Sequence, residues 1–115
     1  MFQVLFYQTA AGKEVVLDVI RDLPDADKKK VGEDLKVVQI GYPLGMPLCR
    51  SLGSGLAEVR SSLPSKREIR LIFMFDSEQQ SLVVLHAFIK KTQKTPKIEL
   101  DVARSRKAEF IMKGG

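Results

Sequence analysis

Leu56-Ala57-Glu58-Val59-Arg60-Ser61-Ser62-Leu63, then Glu68-Ile69-Arg70-Leu71-Ile72-Phe73-Met74-Phe75, then Ser81-Leu82-Val83-Val84-Leu85-His86-Ala87-Phe88-Ile89-Lys90, are three successive stretches that read as strands. In a strand, side chains alternate between faces. The first stretch then presents Ala57, Val59 and Ser61 on one side and Glu58 and Arg60 on the other. The second presents Ile69, Leu71, Phe73 and Phe75 opposite Arg70, Ile72 and Met74. The third is the most apolar and is expected to be central in the sheet. Pro64-Ser65-Lys66 and Asp76-Ser77-Glu78-Gln79-Gln80 are short polar connections, so the three strands are expected to form an antiparallel meander.

Outward from the meander, Leu48–Leu52 reads as a short edge strand and Gly53-Ser54-Gly55 as a turn. The period is helical before Pro47. Phe2–Tyr7 is a short apolar run read as a buried strand. Thr9 is the expected N-cap of a helix over Ala10–Asp22, with Val15, Val16, Val19, Ile20 and Leu23 as its apolar side. Pro24, with Asp25 and Asp27 placed where a helix N-terminus favours anions, opens a second helix. Its stripe is Val31, Leu35 and Val38, Gly41 is the expected residue just past its end, and Tyr42-Pro43 stops it. Two helices joined at one proline predict an antiparallel hairpin. On the C-terminal side, Pro96 opens a last helix whose expected docking face is Ile98, Val102 and Ala103. The order β-α-α, β-β-β, α predicts an α+β domain over residues 1–115, with the meander packed against the helices.

Composition narrows the chemistry. At 44% hydrophobic and 29% charged the chain is too apolar to be disordered. Cys49 is the only cysteine and His86 the only histidine, which excludes a disulfide framework, thiolate zinc sites and Cys–His or Ser–His nucleophiles within one chain. No apolar run is long enough for a membrane span. Met1–Tyr7 lacks the basic start and cleavage site of a signal peptide, so the expected location is the cytoplasm. Residues 1–47 carry six basic and seven acidic side chains, while residues 48–115 carry thirteen and seven. The positive excess lies entirely in the second part, where a polyanion would be held.

Parity puts Glu58 and Arg60 on one face, and an antiparallel neighbour brings Arg70 beside them. Lys90, Lys91 and Lys94 follow the third strand and are expected near Lys66, Arg67 and Arg70. Such cations, with Phe88 and Gln93 close by, suit an RNA phosphate backbone and a stacked base. Blander readings stand beside this one. Glu58–Arg60 can be a surface ion pair, and Lys90-Lys91 a solvated strand end or a guard against edge pairing. His86 reads as a core histidine and Cys49 as inert. Arg104, Arg106, Lys107 and Lys113 on the last helix fit RNA contact or a solvated outer face equally well.

Leu52-Gly53-Ser54-Gly55-Leu56-Ala57-Glu58-Val59-Arg60, Arg70-Leu71-Ile72-Phe73 and Leu85-His86-Ala87-Phe88-Ile89-Lys90-Lys91-Thr92-Gln93-Lys94-Thr95-Pro96 form a series that resembles the phage-derived, HigB-like branch of the RelE/ParE toxin superfamily. The resemblance covers roughly residues 2–110. It implies a RelE/ParE-like α+β toxin of a type II toxin–antitoxin system. Ribonuclease members of the superfamily cut mRNA in the ribosomal A site, usually without a metal or other cofactor. HigB-like toxins commonly pair with a helix-turn-helix antitoxin, and a parallel branch poisons DNA gyrase.

Position by position, Arg60 resembles the second basic residue of the strand that RelE-type toxins use at the cleavage site. Arg70 matches the arginine of the next strand, and Lys90, Lys91 and Lys94 fall where the superfamily has its C-terminal basic residues. Glu58 stands where RelE has a lysine, and no tyrosine or histidine follows Lys91 in the superfamily's terminal position.

Metal-free RNA cleavage needs an aligned 2′-hydroxyl, a proton acceptor, charge stabilisation on the phosphorane and a donor to the leaving oxygen. Arginine stabilises charge but stays protonated, so Glu58, or a lysine crowded by other cations, is the better base. The residues therefore predict that Arg60 and Arg70 clamp the phosphate while Lys90 or Lys91 moves a proton or adds charge. Arg70→Ala is expected to abolish growth arrest with the fold intact. The alternatives are a gyrase-directed toxin, a protein that only binds its antitoxin, and an inactive phage relic.

Overall fold

The computed structural model describes residues 2–42 and 48–113. Its elements are β1 (Gln3–Phe6), α1 (Val15–Arg21), α2 (Asp25–Gly41), β2 (Cys49–Gly53), β3 (Leu56–Ser62), β4 (Glu68–Asp76), β5 (Ser81–Ile89) and α3 (Lys97–Met112). They build one five-stranded sheet in the order β1-β5-β4-β3-β2. The meander β3-β4-β5 is antiparallel, and β2 joins antiparallel to β3. β1 pairs parallel to β5, with Gln3 opposite Ser81, so it closes the other edge by a crossover through the helices. β5 is an interior strand as its composition requires, but the middle position belongs to β4.

Register fixes the two faces. Ser61, Ile69 and Ile89 lie in line on one face, and Glu58, Ile72 and His86 on the other. The helical hairpin covers the first: Ser61 Oγ donates to Asp34 Oδ2 of α2 at 2.6 Å. Helix α3 covers part of the second: His86 Nε2 lies 2.8 Å from Glu99 Oε1. With both faces covered, nearly all of β4 and β5 is buried. Val59, Ile69, Leu71, Phe73 and Val84 are core residues against the hairpin's Val16, Val31 and Val38.

Several local expectations give way to packing. Helix α1 begins at Val15, not near Ala10, because Thr9 is used in a turn instead of a cap. Gly12 N–H donates to Thr9 O, Thr9 Oγ1 accepts from Lys13 N–H, and Gly12 holds a φ of +84° that suits glycine. On α2 the buried stripe is Asp27, Val31, Asp34 and Val38, so two aspartates sit among the apolar positions. Gly41 is the last helical residue and not the one beyond it. Tyr42 leaves in an extended conformation (φ −61°, ψ 138°) and packs against Phe73 and Phe75 at centroid distances of 5.5 and 5.7 Å. Pro43 and Pro47, read as the helix stop and the change of period, lie outside the described residues. On α3, Ile98 is 72% exposed and does not dock. Ala103 is buried, and Leu100 and Phe110 are partly buried against the core.

One irregularity positions the site. Ile72 pairs with His86 and Phe73 with Val84, so Leu85 is an extra residue in β5. A bulge shifts the side-chain phase by one. Upstream, Leu82 and Val84 align with Phe75 and Phe73 on the hairpin face. Downstream, His86 and Phe88 align with Ile72 and Arg70 on the opposite face.

Candidate functional site

The candidate site lies on the α3 face at the end of β3, β4 and β5 where residues 90–96 leave the sheet without helix or strand. Arg60 and Arg70 are direct partners across β3 and β4, and Phe88 is the partner of Arg70 across β4 and β5. Two cations placed opposite each other repel, and carboxylates compensate. Arg60 Nε donates to Glu58 Oε1 at 3.1 Å. Arg70 Nε donates to Glu68 Oε2 at 2.9 Å and lies 3.9 Å from Glu58 Oε1. Glu58 and Arg70 are both 0% exposed. Residues 93–95 complete the cover: Arg70 Nη2 donates to the Gln93 carbonyl at 2.8 Å, and Thr95 Oγ1 donates to Glu58 Oε2 at 2.7 Å. Arg60 Nη2 and Arg70 Nη1 are buried and have no hydrogen-bond partner among the described residues.

Parity thus gathers Glu58, Arg60 and Arg70 as expected, but burial changes what they do. Arg70 is enclosed, so the expected direct clamp on a phosphate is not open in this conformation. Glu58–Arg60 is an interior pair and not a surface one, with side-chain exposures of 0% and 15%. Phe88 is also buried and stacks on His86 at 5.5 Å, which leaves no free ring face for a base as the sequence reading supposed. Gln93 contributes its backbone carbonyl to Arg70, while its side chain accepts from Lys90 Nζ at 3.4 Å.

Lys66, Arg67 and Lys90 line an open groove of about 470 Å³ together with Ser62, Leu63 and Glu68. Lys90 N–H donates to the Glu68 carbonyl, which sets Lys90 beside Glu68 at the groove. Arg67 is partly tied, with Nη2 3.5 Å from Asp27 Oδ2 and Nε donating to Ser65 Oγ. Lys91 and Lys94 are exposed. A larger and more apolar groove of about 490 Å³ runs along β1 between Leu17 and Phe110, away from this chemistry. Among the described residues no group of His, Cys, Asp or Glu could hold a metal ion.

Two residues of this region were hidden from sequence reasoning. His86 is neither wholly core nor free: Arg106 Nη1 approaches its Nδ1 at 3.3 Å and donates to the Leu85 carbonyl at 2.9 Å. A guanidinium only donates, so Nδ1 accepts and Nε2–H is given to Glu99. Arg106 also lies 4.9 Å above the Tyr7 ring, so it pins α3 to the sheet and does not belong to an outer RNA-binding face. Arg104 and Lys113 pair with Asp101 and Glu109 on their own helix, and Lys107 reaches the Ser54 carbonyl. Thr95, buried with its hydroxyl on Glu58, is the second; its place on a seven-residue connection gave no signal of burial. Cys49, read from sequence as inert, is buried, and burial pushes its thiol pKa up.

Residues 18–108 match the model of a family described as phage-derived protein Gp49-like. Two solved structures share the fold. A chain of the intact Escherichia coli RelBE toxin–antitoxin complex is 18% identical with a TM-score of 0.51, covering 82% of this chain and 100% of that one. The isolated E. coli RelE toxin is also 18% identical with a TM-score of 0.51, covering 91% of this chain and 99% of that one. A comparison with curated proteins gives no match. No described helix is long and apolar enough to cross a membrane. The chain belongs to the phage-derived Gp49-like family, and its fold is that of the RelE toxin.

Proposed function

We propose that this protein is the toxin of a toxin–antitoxin pair and cuts messenger RNA held on the ribosome, without a metal or other cofactor, under control of a helix-turn-helix antitoxin. Family membership and a RelE fold also found in the RelBE complex support the toxin reading. The observation that carries the nuclease reading is the opposed pair Arg60–Arg70 with Glu58 between strands, beside the lysine-rimmed groove. Glu58 Oε2 takes the proton of a ribose 2′-hydroxyl as the 2′-oxygen bonds to phosphorus. The two guanidiniums stabilise the added charge on the phosphorane through their forked donors. The bond from phosphorus to the 5′-oxygen breaks, and that oxygen takes a proton from Lys90. The products are a 2′,3′-cyclic phosphate and a 5′-hydroxyl end.

The ties of Arg60 to Glu58 and Arg70 to Glu68 favour a second reading, a protein that only binds its antitoxin. Induction in growing cells, with mRNA ends mapped by primer extension, separates the readings. The nuclease reading expects translation to stop and new 5′-hydroxyl ends to fall within codons. Intact mRNA with rising DNA-damage signalling would assign the gyrase branch. Neither effect, with a stable antitoxin complex, would leave the binding module.

A further inference from the structure

Arg70 and Glu58 are closed over by a segment that imitates what they are built to receive. Residues 91–95 touch the site through two groups. The Gln93 carbonyl is an acceptor on Arg70 Nη2, as a phosphate oxygen would be. The Thr95 hydroxyl is a donor to Glu58 Oε2, as a ribose 2′-hydroxyl would be. We propose that residues 91–95 form an autoinhibitory strap, displaced when a phosphodiester takes the place of the Gln93 carbonyl on Arg70.

Two independent features support displacement over a permanent lid. The closed form leaves Arg60 Nη2 and Arg70 Nη1 buried without acceptors among the described residues, and a buried unmade hydrogen bond is costly. A single carbonyl cannot serve both; a phosphodiester brings two non-bridging oxygens. The strap is also lightly held, since it has neither helix nor strand and Lys91, Thr92, Gln93 and Lys94 are exposed. Its lysines carry no ion pair among the described residues, so a polyanion arriving at Lys91 and Lys94 pulls on the cover itself. Opening does two things at once: it frees the guanidinium donors and it frees Glu58 Oε2 to accept a proton. The strap rests on the reading of this face as an RNA site, but its test needs no cleavage.

The test measures binding of a short, labelled, all-2′-deoxy oligonucleotide, which carries phosphates but no attacking hydroxyl, to the purified full chain. Thr95→Val removes the hydroxyl at nearly constant shape and should tighten binding about tenfold, while Thr95→Ser restores the parental affinity. In the unmodified protein, amide exchange over residues 92–95 should accelerate when the oligonucleotide binds. Unchanged or weaker binding by a folded Thr95→Val protein overturns the strap, as does slower exchange on binding, or no binding at low salt. The exchange measurement uses the unmodified chain, so it stands even if the variant does not fold. Tighter binding without any mRNA cleavage in cells would keep the strap and remove the nuclease reading.

Discussion

Arg60 and Arg70 face one another across β3 and β4, yet each gives its Nε to a different carboxylate, Glu58 and Glu68. The like-charge pair is tolerated because two anions lie on the same face. The price is that neither guanidinium is wholly free. A site assembled this way is an element of the fold as well as of the chemistry, and variants at Arg70 must be read with both in mind.

Arg70→Ala is therefore expected to cost stability, contrary to the expectation from sequence that the fold would be untouched. Removing the guanidinium leaves Glu68 Oε2 and the Gln93 carbonyl without their donor and Glu58 short of one cation. Breaking a buried pair from one side costs about 3–5 kcal/mol. Arg70→Lys keeps the charge but loses the fork that serves Glu68 and Gln93 together, so it should fold with a smaller loss and still abolish growth arrest. Urea denaturation of both variants, alongside the growth assay, decides the matter. An Arg70→Ala protein as stable as its parent would mean that the guanidinium is not part of the packed set.

Acid sensitivity should concentrate where α2 meets the β3–β4 turn. Asp27 accepts from Ser65 Oγ at 2.6 Å and Ser65 N–H at 3.1 Å. The Ser65 hydroxyl is the main reason the Asp27 carboxyl is held below its ordinary value of 3.8, with Arg67 adding to it. A folded pKa below the unfolded one gives stability that is present above the unfolded value and lost as pH falls through the folded value. Glu109, held down chiefly by the Tyr7 hydroxyl and then by Lys113, contributes with the same sign. Asp27→Asn should be less stable at neutral pH and approach the parent in the window that opens as pH falls below about 4. Denaturation midpoints that stay parallel across that window would contradict the assignment.

What the sequence made legible was parity; what it concealed was cover. Alternation in Leu56–Leu63 and Glu68–Phe75 is enough to put Glu58, Arg60 and Arg70 on one face. It cannot say whether that face meets solvent, and here a strap ending in Thr95 closes it. The phase of β5 was hidden because a run such as Leu82–Leu85 is apolar at every position, so the bulge at Leu85 left no mark. Asp27 read only as an anion at the start of α2, because nothing near it in sequence shows that Ser65 of the β3–β4 turn donates to it. Pairing of β1 with β5 joins residues about eighty positions apart, a range that local periodicity does not reach.

The lysines make the sharpest separation between a nucleic-acid surface and ordinary solvated charge. Lys66, Lys90, Lys91 and Lys94 make no ion pair among the described residues and lie around one end of the sheet or on the strap beside it. Lys36, by contrast, is an exposed lysine of α2, on the helical-hairpin side of the sheet. Single-stranded nucleic acid releases counterions in proportion to the phosphates a protein neutralises, giving a log–log salt slope of roughly −0.7 per contact. Each of Lys90→Gln, Lys91→Gln and Lys94→Gln should make the slope shallower by about that amount, while Lys36→Gln should leave it unchanged. Oligonucleotide affinity measured across a salt series gives both quantities in one experiment. Equal slopes for all four variants would reduce this rim to surface charge and take the phosphate site with it.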